Sequence, residues 1–242
     1  MFRFDLRVGL LALTLAACGA QQPDVSIGLY QTRSDMPLDK MEMQVRNNGD
    51  QPITVERAQL VSTRLTQFPI WEEAVEIAPG AAVDLKVQLP PAVCSDGGSD
   101  EVRLTIDGEE YTLPANDTLQ QMTKYVEAAQ CFRQDVERTA SITATGLKGD
   151  VLHVVVDGPV TIAEVGTTTL FKARDPHALA TGDPLRLLPN RCDAHALADD
   201  KQGTYFPLTV ALPDGRLGSY RLGVDPQLRN ELYRFYAREC GL

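Results

Sequence analysis

The sequence predicts a mainly β protein with two related antiparallel β-sandwich domains, each ending in a helix that a disulfide clamps to its sandwich. Three observations predict this fold: short runs that alternate apolar and polar residues, turn sequences between the runs, and the same order of elements in both halves of the 242-residue chain. Alternation with a period of two is typical of a strand that buries one face. The turns at 47–50 (NNGD) and 157–159 (DGP) follow such runs, and no long helical crossover separates them, so antiparallel pairing is expected.

The first eighteen residues predict export. Arg3 and Arg7 give a basic start, and residues 8–17 form an apolar run that is too short to span a bilayer, which takes roughly 20 residues. The tetrad at 15–18 (LAAC) resembles the lipobox of bacterial lipoproteins. The resemblance implies cleavage before Cys18, a thioether-linked diacylglycerol on its sulfur and acylation of its new amino group. We therefore predict a signal peptide at 1–17 and a lipidated cysteine with a short tether at 18–24.

Lipid, rather than charge, is expected to hold the mature protein on the membrane. The whole chain has 23 basic and 33 acidic side chains, which gives a net charge of −10. Cleavage would remove two arginines and one aspartate, leaving 21 basic and 32 acidic side chains and a net charge of −11. This charge disfavours binding to nucleic acid and to anionic headgroups, whereas each buried acyl methylene contributes about 0.8 kcal/mol. We expect an extracytoplasmic protein, lipid-anchored to the bacterial cell membrane or the outer membrane.

The remaining cysteines predict two disulfides. Cysteines pair by default in an oxidising envelope compartment, and four of them allow three pairings. A zinc site is the alternative, but structural zinc ligands come in closely spaced pairs, and the nearest two of these cysteines are 37 positions apart. The four are Cys94, Cys131, Cys192 and Cys240.

An internal repeat selects one pairing. In each half a Leu-Pro pair leads to a cysteine, then an alternating strand, an Asp-Gly turn, a second strand and a helix follow, and another cysteine closes the unit. This order predicts the bridges Cys94–Cys131 and Cys192–Cys240, each of which should contribute roughly 4 kcal/mol by loop closure. It also predicts domains at 25–132 and 141–242, with the charged segment 133–140 as the linker.

Three alternating runs predict the clearest strands. The run at 83–89 places apolar residues on one face and polar residues on the other. The runs at 41–45 and 152–156 alternate in the same way, so Glu42 is expected to face solvent.

Each half is expected to end in one helix. In the second half Asp225 is a suitable N-cap, and Pro226 fits the first helical position because no amide is needed there. The corresponding helix of the first half is expected to begin at about Asp117. The apolar stripe of the second helix consists of Leu228, Leu232, Phe235 and Tyr236.

The order of strands and turns in the first half carries a further resemblance. An apolar strand leads to the turn at 47–50, a strand follows at 52–55, and the sequence APG at 78–80 leads into the strand at 83–89. In this order the chain resembles the immunoglobulin-like and fibronectin type III-like modules of bacterial envelope proteins. The resemblance implies an immunoglobulin-like sandwich and assigns no binding residue.

One loop of the second half predicts a metal or small-solute site. Asp193, His195, Asp199 and Asp200 lie within eight residues and offer an imidazole and three carboxylates, which are ligands for divalent cations. The alternative interpretation is a polar connection beside a disulfide, because the equivalent loop of the first half has no histidine.

The function expected from the sequence is non-enzymatic. The chain lacks the G-x-S-x-G, S-x-x-K, H-E-x-x-H and phosphate-loop motifs, and no cofactor is predicted. We expect a binding or structural module whose partner is another envelope protein or a polymer, contacted by loops around Trp71 or by the cleft between the domains. The alternatives are metal or solute capture at the loop of the second half and an envelope hydrolase of unrecognised type.

Overall fold

The computed structural model describes residues 22–94, 98–117, 119–198, 200 and 204–242. The predicted signal peptide, the lipidation site Cys18 and the candidate ligand Asp199 lie outside the described residues. In the described part the chain is mainly β, with fifteen strands and several helical segments. None of the helices in this part has the length and apolar character that crossing a membrane requires.

One eight-stranded sheet forms the first half. Its strand order is β4-β3-β7-β8-β1-β2-β6, with β5 also paired to β3, and β4 lies against β6, so the sheet nearly closes on itself. The pairs are antiparallel except β1 with β8. The strands are β1 (Val25–Tyr30), β2 (Lys40–Asn47), β3 (Ile53–Ser62), β4 (Ile70–Trp71), β5 (Val75–Ile77), β6 (Ala82–Gln88), β7 (Asp100–Ile106) and β8 (Glu109–Asn116).

The predicted alternation is confirmed for the inward face but not for all of the outward face. Met41, Met43 and Val45 on β2 are fully buried, as the pattern predicts. Glu42 was expected in solvent, yet it is only 4% exposed. The cause is a tertiary contact. Glu42 pairs with the ammonium group of Lys86, which also pairs with Asp35, a buried residue in the segment after β1.

Two sheets form the second half, in the orders β12-β13-β10-β9 and β11-β14-β15. Their inner faces share one core with the last helix, in which Phe171 packs against Phe206, Phe235 and Tyr236 at ring-centroid distances of 5.9–6.2 Å. The strands are β9 (Ser141–Lys148), β10 (Val151–Asp157), β11 (Thr161–Val165), β12 (Phe171–Ala173), β13 (Leu185–Pro189), β14 (Phe206–Ala211) and β15 (Leu217–Leu222).

The two halves share an order of strand pairing. In the first half β2 lies between β1 and β6, and β7 lies between β3 and β8. In the second half β10 lies between β9 and β13, and β14 lies between β11 and β15. The halves differ because parallel pairing of β1 with β8 joins the two strand sets of the first half into one sheet.

A continuous helical stretch connects the halves, and we call residues 121–139 the junction helix. Asp117 accepts hydrogen bonds from the backbone amides of Gln121 and Met122 at its start, close to the predicted position. The stretch comprises α1 (Gln121–Thr123), a π-helix (Lys124–Cys131) and α2 (Phe132–Thr139). The other helices are α3 (Ala178–Thr181), α4 (Ala194–Ala198) and α5 (Pro226–Cys240).

The segment 133–140, predicted as the linker, is mostly helical. Its residues up to Thr139 belong to α2, and Val136 is fully buried in the core of the second half together with Phe132. Two apolar residues four positions apart lie on one face of a helix, and this spacing is enough to anchor α2 although the other side chains are charged. At the other end of the junction helix, Met122 and Val126 lie in the core of the first half.

Both disulfides are present. Cys94 bonds to Cys131 and Cys192 bonds to Cys240, with Cα–Cα distances of 5.6 and 5.2 Å. The second bridge ties the end of α5 to the chain after β13, whereas the first ties the π-helical part of the junction helix to the connection between β6 and β7. The helix α5 begins as predicted, since the Asp225 side chain accepts a hydrogen bond from the Leu228 amide at 2.9 Å.

Candidate functional site

The strand β10 has an open edge. It pairs with β9 along all seven of its residues, but with β13 only at Val151 and Leu152. The chain before β13 turns away at Gly182, which has a φ of 81° that favours glycine, and Pro184 has no amide hydrogen to donate. Among the described residues, no strand pairs with β10 on this side at positions 153–157, and we call this stretch the open edge.

A groove follows the open edge. Two adjoining cavities of about 390 and 420 Å³ lie along β10 and share Val154, Leu179, Gly182 and Asp183 as walls. The second cavity continues to Val160, Thr161 and Ile162 at the start of β11. We call this pair of cavities the edge groove. Its length corresponds to about six residues of an extended chain, since the cavities together line β10 from Val151 to Val156.

The middle of the open edge is apolar on both faces. Val155 is 52% exposed and Val156 is 37% exposed, and the two lie on opposite sides of the strand. Val154 is half-buried. Natural edge strands usually present lysine, proline or a covering element, and this stretch presents three successive valines.

Polar side chains line the first cavity of the edge groove. Lys148, His153 and Asp183 contribute to the first cavity. His153 is exposed, and the Asp183 carboxylate accepts a hydrogen bond from the Thr181 hydroxyl at 2.7 Å. The groove therefore combines apolar walls with a few polar groups, a composition typical of recognition sites.

Of the four predicted metal ligands, the structure describes Asp193, His195 and Asp200. Asp193 accepts a hydrogen bond from the Ala196 amide at 2.6 Å and pairs with Arg191 at 2.9 Å, and these contacts lower the pKa of its carboxyl group. His195 is exposed on α4, while Asp200 accepts a hydrogen bond from the Tyr233 hydroxyl at 3.2 Å. Within the described ranges, no group of three or more His, Cys, Asp or Glu side chains is arranged to hold a metal ion.

Trp71 lies in a short strand rather than in an irregular loop. As part of β4 it pairs with Ala58 on β3, and its half-buried ring packs against the core of the first half. Its neighbours Phe68 and Ile70 are each 43% exposed. The exposed apolar surface of this region thus belongs to Phe68 and Ile70 rather than to Trp71 itself.

A polar network attaches the junction helix to the first half. Asp39 accepts hydrogen bonds from the Tyr125 hydroxyl at 2.7 Å and from Arg133 at 3.0 and 3.2 Å. The buried Gln130 amide donates to the Tyr125 hydroxyl and accepts from the Ala92 amide at 2.6 Å. Burial and the hydrogen bond to Asp39 raise the pKa of Tyr125, so this hydroxyl remains a donor.

A second polar cluster lies on the outer face of the first sheet. The Lys86 ammonium group is 2.9 Å from Asp35 and 2.8 Å from Glu42, and both carboxylates are almost fully buried. The second carboxylate oxygen of Glu42 is buried and has no hydrogen-bond partner among the described residues. Although burial alone would raise the pKa of Asp35, hydrogen bonds from Thr32 and Lys86 lower it.

Comparisons with known proteins identify no family. No protein-family model matches the chain, and no curated protein matches it. Among solved structures, the chain is similar to the YadV chaperone, with 8% sequence identity, coverage of 76% of this chain and 92% of that chain, and a TM-score of 0.19.

The open edge and the network around Asp39 are the features that sequence reasoning missed. The run VLHVVV at 151–156 does contain a local signal, because its last three residues are apolar where alternation requires a polar residue. The Asp39–Arg133 pair has no local signal, since 94 positions separate its members.

Proposed function

We propose that this protein is a membrane-anchored envelope lipoprotein with tandem immunoglobulin-like domains, and that it binds an extended polypeptide segment along the open edge of β10 without catalysing a reaction. The observation that carries the binding proposal is the open edge itself. Unpaired backbone N–H and C=O groups beside a groove offer hydrogen bonds to an added strand.

The order of strand pairing supports the immunoglobulin-like assignment. A constant-type immunoglobulin sandwich places strands A, B, E and D in one sheet and C, F and G in the other. The second half has β12-β13-β10-β9 facing β11-β14-β15, which matches the orders D-E-B-A and C-F-G. The first half contains the three-strand orders β1-β2-β6 and β3-β7-β8, which correspond to A-B-E and C-F-G. This similarity between the halves supports a duplicated domain.

The lipobox resemblance supports the anchor. The tetrad LAAC places Cys18 seven positions before the first strand, which begins at Val25. Two disulfides are consistent with an oxidising, extracytoplasmic compartment. We expect Cys18→Ser to release the protein from the membrane fraction, and unchanged partitioning would contradict lipidation.

Strand addition explains the composition of the edge groove. An added strand receives its affinity from main-chain hydrogen bonds and its specificity from pockets for alternate side chains. The two cavities that meet at Val154 provide such pockets, and apolar wall residues such as Leu179 suit aliphatic side chains. We therefore expect the partner to be an extended segment with apolar residues at alternate positions.

A peptide-binding experiment tests this proposal. The purified mature protein is mixed with synthetic ten-residue peptides that alternate apolar and polar residues, and hydrogen exchange is followed by mass spectrometry. We expect slower exchange of the amides at 153–157. Counterparts with proline at alternate positions cannot donate ladder hydrogen bonds and should not protect these amides.

Two matched variants localise the binding. Val155→Lys places a charge on the open edge, and Leu217→Lys places the same charge at a 64% exposed leucine of β15. We expect only Val155→Lys to abolish the slowing of amide exchange at 153–157 that the peptide causes. Equal binding by both variants, protection that maps elsewhere, or equal effects of the proline peptides would overturn the proposal.

A further inference from the structure

A cavity of about 150 Å³ opens where the two halves meet, and we call it the junction cavity. The first half contributes Met36 and Asp39, and β15 of the second half contributes Ser219 and Arg221. The junction helix forms the remaining wall. From it come Tyr125, Ala128, Ala129 and Arg133.

The two arginines of the junction cavity differ in their partners. Arg133 is held by Asp39 at 3.0 Å, and its Nε lies 4.0 Å from Glu137, which does not line the cavity. Arg221 makes no ion pair within the described residues, and its Nη2 donates a hydrogen bond to the Met36 sulfur at 3.5 Å. A thioether is a weak acceptor, so most of the N–H groups of Arg221 are available to a ligand.

The helical wall of the junction cavity is largely π-helical. Tyr125, Ala128 and Ala129 belong to the π-helix at Lys124–Cys131. Such segments are uncommon and occur frequently at functional sites. The two alanines leave the space that longer side chains would fill, and together with Met36 they make this wall apolar.

We propose that the junction cavity binds a small monocarboxylate, with the Arg221 guanidinium and the Ser219 hydroxyl donating to the carboxylate and the apolar wall contacting the rest of the ligand. The guanidinium fork matches the two oxygens of a carboxylate. Two arginines and one aspartate line the cavity, so its lining has one excess positive charge, which suits a monoanion. This inference is independent of the open edge of β10.

Ligand titration tests the proposal on the purified mature protein. Butyrate is titrated at constant ionic strength and detected by saturation-transfer NMR, with butylammonium as a comparison probe observed in the same way and inorganic phosphate tested as a competitor that displaces the butyrate signal. We expect saturable binding of butyrate, no binding of butylammonium, and phosphate binding at least tenfold weaker than butyrate binding. Absence of saturation, or phosphate binding as tight as butyrate binding, would overturn the assignment of a carboxylate.

Three variants assign the residues. Arg221→Gln should weaken butyrate binding at least tenfold, whereas Arg174→Gln removes the same charge from an exposed position of the second half and should leave it unchanged. Ala128→Leu leaves every charge in place and should weaken binding by filling the cavity. If Arg221→Gln and Arg174→Gln behave alike, or if Ala128→Leu binds as the unmodified protein does, the inference is wrong.

Discussion

Gly218 on β15 lies directly against the ring of Phe132 on the junction helix. A β-carbon built on Gly218 would be 2.5 Å from Cδ2 of that ring, and two further ring atoms would lie within 2.7 Å. The ring is rigid and buried in the core of the second half, so it has little room to move. The absence of a side chain at position 218 therefore lets the junction helix pack closely against β15.

We expect Gly218→Ala to destabilise the protein by about 1–3 kcal/mol, the usual effect of overpacking a core. Urea unfolding followed by circular dichroism measures the change. Gly146→Ala is the control, because Gly146 is also in a strand and a β-carbon there meets no atom within 4 Å. A control that loses as much stability as Gly218→Ala would show that close packing against Phe132 is not the cause.

Helix α5 provides a second prediction, because its first turn depends on one side chain. Asp225→Ala removes the acceptor of the Leu228 amide hydrogen and should lower the free energy of unfolding by about 1 kcal/mol. Asp225→Asn keeps an acceptor oxygen and should retain most of the stability. Equal losses in the two variants, measured by thermal unfolding, would argue against capping.

The local sequence pattern was sufficient to predict the strands and helices whose buried residues recur at a regular spacing. Leu85 and Val87 alternate with polar residues, and Asp225 followed by Pro226 marks the start of α5, so these elements were predicted correctly. The helical part at 133–139 was missed because Phe132 and Val136 are the buried residues of α2 and most of its other side chains are charged or polar. Such a short signal does not distinguish a packed helix from a solvated linker.

The candidate sites depend on tertiary relationships that local pattern does not contain. The open edge of β10 exists because β13 pairs with it at only two positions. The junction cavity needs Asp39 and Arg221, which are far apart in the chain. The metal loop was predicted from composition, and the structure adds that the Asp193 carboxylate accepts a hydrogen bond from the Ala196 amide at the start of α4.

The disulfides should contribute similar amounts to stability. They close loops of 37 and 48 residues, and the entropy of loop closure varies only slowly with loop length. We expect replacement of either cysteine pair by alanine to lower the free energy of unfolding by about 2–4 kcal/mol. Urea midpoints of the two double variants measure this, and a midpoint equal to that of the unmodified protein would exclude a stabilising role for that bridge.

The cluster of Asp35, Glu42 and Lys86 predicts how stability depends on pH. The pKa of Asp35 is lowered in the folded state from its ordinary value of 3.8, so its contribution is present above that value and is lost as the pH falls through the folded pKa. The pKa of Lys86 is raised above its ordinary value of 10.5, chiefly by hydrogen bonds to Glu42 and Asp35, so its contribution is present below 10.5 and is lost as the pH rises through the folded pKa.

Replacing Lys86 tests the contribution of this cluster to stability apart from the contributions of the other charged groups. Lys86→Met leaves two buried carboxylates without their shared cation and should lower stability at neutral pH by about 1–3 kcal/mol. Because the two carboxylates then repel each other, protonation of either one relieves the repulsion, and the variant should lose less stability than the unmodified protein on acidification below pH 3.8. Lys172→Met, at an exposed position of β12, is the control and should leave both properties unchanged. Urea unfolding at a series of pH values measures both properties. If the free energies of unfolding of Lys86→Met and of the unmodified protein fall in parallel below pH 3.8, the cluster does not govern the loss of stability in acid.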